Sequence, residues 1–181
     1  GIPTIPTQVF LNQDASRIHW PSGVATETLT GSHSFHDQAE RSFVVKPRFG
    51  AGCTNVRCLR ATDFTGGRMD AAVHDSGHLI VQPWISGTPC SIGFIGGGQV
   101  RSTVTLPPGQ QLIRQTGTCL SYHGGIIPCS PPFADVISPL AEALMQALGA
   151  FHGYVGADLI VDPDSSVPVR VVEVNPRLCT S

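Results

Sequence analysis

The fold is decided by two apolar segments near the end of the chain, Gly153-Tyr-Val-Gly-Ala-Asp-Leu-Ile-Val-Asp162 and Val169-Arg-Val-Val-Glu-Val-Asn-Pro-Arg177. Both segments are rich in β-branched residues, which favour strands. Residues 163–168 between them read Pro-Asp-Ser-Ser-Val-Pro, a composition typical of a turn. The stretch therefore predicts two strands joined as a hairpin.

Polar side chains interrupt this apolar hairpin at a few positions. Side chains alternate between the faces of a strand, so Glu173 and Asn175 are expected to share one face. Val169 and Val171 are expected on that same face. A register that pairs the ends of the hairpin brings Asp158 level with Glu173 and Asn175. Two carboxylates and an amide oxygen suit a hard cation such as Mg²⁺ or Mn²⁺.

A solvated hairpin with acids on its wet face is the alternative interpretation. Glu173 lies inside an otherwise apolar run, and a buried carboxylate is costly unless it is paired or coordinated. This favours the metal site. Arg177 follows Asn175 by two residues, where its guanidinium is placed to bind a phosphate or a carboxylate.

A second candidate site lies near the middle of the chain. Residues 42–47 are a β-branched and aromatic run that predicts a strand, residues 48–54 form a glycine-rich turn, and residues 55–60 predict a return strand. Backbone N–H groups of such a turn can close on an anion. Lys46 adds a positive charge beside it. Taken alone, this pattern favours a plain hairpin.

The segment of residues 78–87 predicts a strand that breaks at Pro83, because proline cannot continue a central strand. The break suits a hinge between two lobes, with the backbone groups of Trp84 and Ile85 free to bind a ligand. An ordinary strand end with Trp84 in the core is the alternative.

The clearest helix is expected over residues 133–149, where apolar residues recur at helical spacing. Pro139 is expected in its first turn with Ser138 as the N-cap, and Gly149 is expected to end it. Residues 107–115 are predicted to be a linker, and residues 116–122 a further strand.

Composition limits the choice of function. The chain has 181 residues, a length that suits one domain or two small lobes. Its net charge is −2. There is no basic run that would indicate nucleic acid or an anionic membrane surface. Six cysteines are expected to be reduced and mostly buried. The first residue is not Met, so we expect the chain to start inside a longer protein.

Together these motifs resemble the ATP-grasp superfamily. There, a "G-x-x-G-x-D" strand and a "v-E-x-N-P-R" strand hold the metal ions that bridge the nucleotide phosphates. The end of this chain also resembles the subgroup that ends E-x-N-P-R-L-T-T-S, the group of the tyramine–glutamate ligases of methanofuran biosynthesis. In this chain Cys179 stands where that pattern has Thr.

The resemblance implies a role for individual residues. Lys46, Pro47, Gly50 and Gly52 match the phosphate loop "K-P-x-x-G-x-G". The hinge pattern is matched by Gln82, Trp84, Ile85, Gly87 and Ser91, with Pro89 in place of the glutamate that contacts the ribose. The implied nucleotide contacts are Lys46, Gly50, Gly52, Gln82, Trp84, Ile85 and Ser91. The implied metal ligands are Asp158, Glu173 and Asn175, and the implied catalytic residues are Lys46, Asn175 and Arg177.

The resemblance also implies an α+β fold, the ATP-grasp fold, with residues 1–90 and 91–181 as two lobes and ATP between them. The preceding α/β domain of such ligases is expected to be absent from this chain. The implied function is that of a cytoplasmic, ATP- and Mg²⁺- or Mn²⁺-dependent ligase that joins a small-molecule carboxylate to an amine through an acylphosphate. Two alternatives stay open: a nucleotide-binding remnant without ligase activity, and a phosphotransferase on the same fold.

Overall fold

The computed structural model describes residues 1–5, 8–11, 42–60, 63 and 78–178. The chain divides into two compact units. The N-terminal unit comprises residues 6–84 and 115–121, and the C-terminal unit comprises residues 1–5, 85–114 and 122–181.

The described strands of the N-terminal unit form an antiparallel sheet. They are β1 (Gln8–Leu11), β2 (Ser42–Pro47), β3 (Arg57–Arg60) and β4 (His78–Pro83), in the order β1-β4-β2-β3. Phe43, Val45 and Pro47 of β2 are buried, while Lys46 belongs to the alternate, partly exposed set. The strand over residues 42–47 and its antiparallel return strand are thus confirmed.

The strands of the C-terminal unit are also antiparallel, and a helix packs on one face of them. The elements of this unit are β5 (Thr88–Gly97), β6 (Val104–Thr105), most of β7 (Gly109–Thr116) and β8 (Cys119–Ile126), α1 (Pro131–Leu148), β9 (His152–Val161) and β10 (Val169–Asn175). The strand order is β7-β5-β9-β10, with β6 paired to β5. The fold class expected from the sequence, α+β, is confirmed.

The predicted linker over residues 107–115 is wrong, because β7 begins at Gly109. Pro107 and Pro108 precede the first residue of the strand, so they do not interrupt it. The strand predicted over residues 116–122 is instead the end of β7, a turn and the start of β8. Gly117 makes that turn with φ of 59°, a left-handed conformation that glycine adopts without strain.

Helix α1 begins earlier than predicted, at Pro131, and so Pro139 lies inside the helix instead of in its first turn. Proline has no N–H, so one helical hydrogen bond is lost at that turn. Ser138 is not the N-cap, and its hydroxyl donates to the carbonyl of Ala134 at 2.8 Å. The predicted end is confirmed, because Gly149 caps the helix with φ of 68°. Among the described residues, no helix combines the length and the apolarity that crossing a membrane requires.

One hydrophobic core fills the space between α1 and the sheet of the C-terminal unit. Its buried members include Ile137, Leu140, Ala141 and Leu144 from the helix and Cys90, Ile92, Phe94, Ala157, Leu159, Val161, Val169 and Val171 from the strands. The cysteines that the structure describes are all free thiols. The expectation that they are mostly buried is wrong for these five, because only Cys90 and Cys129 are buried. Burial, together with the neighbouring Cys129, raises the pKa of Cys90 to about 12, so this thiol stays neutral and packs as a small apolar side chain.

We expect Ile137→Ala to lower the free energy of unfolding by about 2–5 kcal/mol, because Ile137 is fully buried and its truncation leaves a cavity. The matched control is Val136→Ala on the same helical turn, where the side chain is only half-buried. Urea denaturation of both variants measures the difference. Equal losses at the two positions would contradict the packing described here.

Candidate functional site

The pairing of β9 with β10 sets the geometry of the site. Glu173 lies opposite Asp158, and Asn175 lies opposite Gly156. This is the register expected from the sequence, and it brings the two carboxylates and the amide onto one side of the sheet. We refer to Asp158, Glu173 and Asn175 as the Asp158 cluster.

A β-bulge at Val172 determines the face of the sheet on which the Asp158 cluster lies. Val171 pairs with Leu159, but the next paired residue on β10 is Glu173, which faces Asp158. Leu159 and Asp158 are neighbours on β9 and point to opposite faces. The bulge therefore adds one residue to β10 and reverses the faces of all the residues that follow it.

The expectation that Val169 and Val171 share a face with Glu173 and Asn175 is therefore wrong. Before the bulge, the two valines face the core with Leu159. After the bulge, Glu173 and Asn175 lie on the opposite face and are half-buried. Strict alternation would have pointed both polar side chains at helix α1, where burial of the carboxylate would be costly.

The start of the chain holds β10 just before the bulge. The N–H of Val171 donates to the carbonyl of Pro3 at 2.9 Å, and the N–H of Ile5 donates to the carbonyl of Val171 at 3.1 Å. Thr4 forms a parallel bridge with Val171. The free edge of β10 is thereby covered at the position where the strand changes face.

Amide groups hold both carboxylates of the cluster. The Asn175 Nδ2 atom donates to Glu173 Oε1 at 2.9 Å and to Asp158 Oδ2 at 3.3 Å. On the other side, Gln111 Nε2 donates to Asp158 Oδ1 at 2.8 Å. All three hydrogen bonds are partly buried, where such bonds are stronger than in water.

Gln111 is not among the site residues predicted from the sequence, because residues 107–115 are predicted to be a linker. The structure brings this residue to the cluster through the pairing of β7 with β5. A run of strand-forming residues, Leu112-Ile113, directly follows Gln111 and was the available signal for a strand.

Ser91 occupies the same region of the sheet. It lies opposite Asp158 on one side and opposite Gly109 on the other, and only 6% of its surface is exposed. Residues opposite one another across neighbouring strands share a face, so Ser91 belongs to the face of the Asp158 cluster. Ser91 is a predicted nucleotide contact, and the structure brings it beside the predicted metal ligands.

The chemistry of the cluster fits a hard divalent cation. Within the part of the chain that the structure describes, no three side chains of His, Cys, Asp or Glu converge as a zinc site would require. The cluster instead combines two carboxylates with an amide that carries an oxygen as well as its NH₂ group. A partial, all-oxygen set of this kind suits Mg²⁺, which retains waters or takes oxygen ligands from phosphates.

The glycine-rich turn of residues 48–54 lies in the N-terminal unit, directly after β2 and Lys46. Gly50 and Gly52 are both exposed. Gly52 has φ of 60° and so needs the freedom of glycine. A Cβ atom on Gly50 would meet only ordinary contacts, at 3.9 Å, so no contact within the protein requires glycine there.

The residues of the predicted hinge have different surroundings. Gln82 is buried, with 3% of its surface exposed, whereas the Trp84 side chain is 40% exposed, and so Trp84 is not a core residue. The N–H of Trp84 donates to the carbonyl of Ser42 at 2.9 Å, so the expectation of a free N–H at this position is wrong. Ile85 is half-buried and begins a segment of the C-terminal unit.

Arg177 lies just beyond the end of β10 and is exposed. Its backbone N–H donates to the carbonyl of Asn175 at 2.8 Å, which turns the chain directly after the cluster. Cys179 and the two residues that follow it, which complete the ending discussed above, lie outside the described residues.

Comparison with known proteins gives consistent findings. A model of the ATP-grasp domain matches residues 14–181. Tyramine–L-glutamate ligase of Methanocaldococcus jannaschii is 28% identical over 123 residues, which are 68% of this chain and 36% of that ligase. The chain therefore spans little more than a third of the length of this curated relative.

Solved structures show the same fold at low identity. The D-Ala:D-Ser ligase VanG from Enterococcus faecalis is similar with a TM-score of 0.63 and 16% identity, over 97% of this chain and 48% of that one. D-alanine–D-alanine ligase from Bacillus anthracis, solved in complex with ATP, is similar with a TM-score of 0.54 and 16% identity, over 97% of this chain and 50% of that one.

We expect Asn175→Asp to lower the free energy of unfolding by about 1–3 kcal/mol in a buffer that contains EDTA. The substitution removes the NH₂ group that donates to both carboxylates and adds a third negative charge beside them. Asn55→Asp is the matched control, because Asn55 is exposed and its left-handed backbone suits aspartate equally well. Denaturant titration that found the same change for both variants would contradict the bridging role of Asn175.

Proposed function

The chain belongs to the ATP-grasp family, and from that premise we propose that it catalyses the ATP-dependent joining of a small-molecule carboxylate to an amine. The observation that carries this proposal is the convergence of Asp158, Glu173 and Asn175 on one face of a sheet, opposite the core. The similarity to ligases that act on amino acids supports the reaction class.

We assign the Asp158 cluster to a divalent cation, Mg²⁺ or Mn²⁺. When bound, the cation would neutralise charge on the phosphate oxygens of ATP. The protein's own contribution is to hold the carboxylates in place before the cation arrives. The hydrogen bonds from Asn175 and Gln111 support this assignment, because they hold both carboxylates together on one face of the sheet.

We assign the phosphates to Lys46 and the glycine-rich turn. Lys46 carries a full positive charge at the start of the turn, and backbone N–H groups near Gly50 and Gly52 provide neutral donors. A Cβ atom on Gly52 would meet no other atom within 4 Å, which supports this assignment because a ligand can approach the backbone closely there.

The remaining nucleotide contacts are proposed for Gln82, Trp84, Ile85 and Ser91. Because the N–H of Trp84 is already bonded to Ser42, its contribution falls to its carbonyl oxygen or its exposed indole. Arg177 is proposed to bind the carboxylate of the substrate or the acylphosphate formed from it. Its exposure and its position directly after the cluster support that role.

The proposed reaction has two steps. A carboxylate oxygen of the substrate attacks the γ-phosphorus, the bond between that phosphorus and the ADP oxygen breaks, and an acylphosphate forms. The amine nitrogen then attacks the acyl carbon, phosphate leaves, and the amine loses a proton as the amide forms. Neither step needs a nucleophilic side chain, so the protein acts by positioning and by neutralising charge.

Glutamate and an aromatic amine such as tyramine are the first substrates to test, because tyramine–L-glutamate ligase is 28% identical to this chain where they match. Phosphate release and the mass of the organic product are measured together. An amide with free phosphate supports the ligase. A phosphorylated product indicates a phosphotransferase, and nucleotide binding without turnover indicates a binding module.

We expect Glu173→Gln to lower divalent-cation-dependent ATP turnover by at least ~100-fold, since a charged ligand of the proposed cation is lost. Calorimetric titration with a non-hydrolysable ATP analogue, with and without Mg²⁺, should show that metal-dependent binding is lost as well. Glu142→Gln is the control, because Glu142 is an exposed residue of α1. Normal turnover by the Glu173 variant would remove the basis for the assignment.

A further inference from the structure

The hydrogen bond from Gln111 to Asp158 joins two strands that are not neighbours in the sheet, because β5 lies between β7 and β9. Gly109 pairs with Ser91, and Ser91 pairs with Asp158. Gln111 is two residues after Gly109 and therefore shares its face. Its side chain reaches across β5 to donate to Asp158 Oδ1 at 2.8 Å.

We propose that Gln111 is a positioning residue that makes Asp158 a one-oxygen ligand for a small divalent cation. The proposal rests on the metal site described under the proposed function. Gln111 holds Oδ1, and Asp158 Oδ2 is the oxygen that faces Asn175. The two oxygens of this carboxylate thereby have different roles.

The need for such a residue follows from the freedom of the aspartate side chain. The terminal torsion of aspartate is broad, so an unanchored carboxylate presents either oxygen or both. The hydrogen bond from Gln111 is 0.5 Å shorter than the one from Asn175, at 2.8 Å against 3.3 Å. Asn175 is itself an assigned ligand, and an amide that turns its oxygen to a cation no longer donates to Oδ2. The hydrogen bond from Gln111 is compatible with a bound cation.

The preference among cations follows from the number of Asp158 carboxylate oxygens that can bind the cation. Mg²⁺ requires near-ideal octahedral geometry, whereas Ca²⁺ accepts one or both oxygens of a carboxylate in a flexible geometry. An Asp158 that presents Oδ2 alone favours the smaller cations. Removal of the Gln111 amide should therefore weaken the binding of Mg²⁺ and Mn²⁺ and affect the binding of Ca²⁺ less.

The test uses the 181-residue chain and Mn²⁺ alone as the probe. Free Mn²⁺ is measured by electron paramagnetic resonance, and Ca²⁺ and Mg²⁺ affinities follow from displacement of Mn²⁺. Gln111→Met keeps the length of the side chain and removes its donor. Gln110→Met is the matched control, because Gln110 pairs with the core residue Cys90 and lies on the opposite face. Asp158→Asn serves as the reference for a lost ligand.

Gln111→Met is expected to weaken Mn²⁺ and Mg²⁺ binding by about 10-fold or more, as loss of a group that orients a metal ligand does. Ca²⁺ binding is expected to change by less than about threefold. Gln110→Met is expected to bind all three cations as the wild type does. If Gln111→Met unfolds at the working temperature, Gln111→Leu repeats the measurement with a different apolar side chain.

Different results overturn different claims. The positioning role fails if Asp158→Asn abolishes Mn²⁺ binding while Gln111→Met binds as the wild type does. It also fails if Gln111→Met loses affinity for Mn²⁺, Mg²⁺ and Ca²⁺ equally, because that result indicates general loss of structure. If the wild type and Asp158→Asn bind Mn²⁺ equally weakly, the metal assignment fails and the positioning role fails with it.

Discussion

One extra residue in β10 separates the core of the C-terminal unit from its candidate site. Up to Val171 the strand contributes apolar side chains to the cluster beneath α1. Val172 forms the bulge, and from Glu173 onward the strand presents polar groups to the other face. Without the bulge, Glu173 and Asn175 would lie on the core face with Val169 and Val171, and the bulge avoids this with the loss of little pairing.

The polar residues around the end of β10 are stable because amide groups donate hydrogen bonds to their carboxylates. Two half-buried carboxylates on neighbouring strands repel each other, and burial adds to that cost. Asn175 lies between them and donates to both, while Gln111 donates to Asp158 from the far side. The arrangement satisfies the carboxylates with neutral donors and leaves the negative charge in place to attract a cation. Lysine or arginine at either position would neutralise that charge and compete with a metal.

The sequence predicted those parts of the fold that depend on local patterns. The apolar, β-branched runs of β2, β4, β9 and β10 predicted strands, and the spacing of Leu140 and Leu144 predicted the buried face of α1. The register of β9 with β10 followed from matching the ends of a short hairpin. The bulge could not be predicted, because Val-Arg-Val-Val-Glu alternates equally well with or without an extra residue. Gln111 could not be connected to Asp158 because that contact spans 47 residues and a sheet order that no local pattern encodes.

The three polar residues after the bulge differ in exposure in a way that fits different tasks. Glu173 and Asn175 are half-buried and joined by a hydrogen bond of 2.9 Å, whereas Arg177 is exposed beyond the end of the strand. Groups that bind a cation must be held rigidly, because small cations tolerate little error in geometry. A guanidinium that binds a substrate through a flexible stem can adapt to the ligand instead. The strand ends in a turn at Asn175, where the N–H of Arg177 bonds back to the Asn175 carbonyl. This turn separates the residues proposed for the two tasks within three residues of the chain.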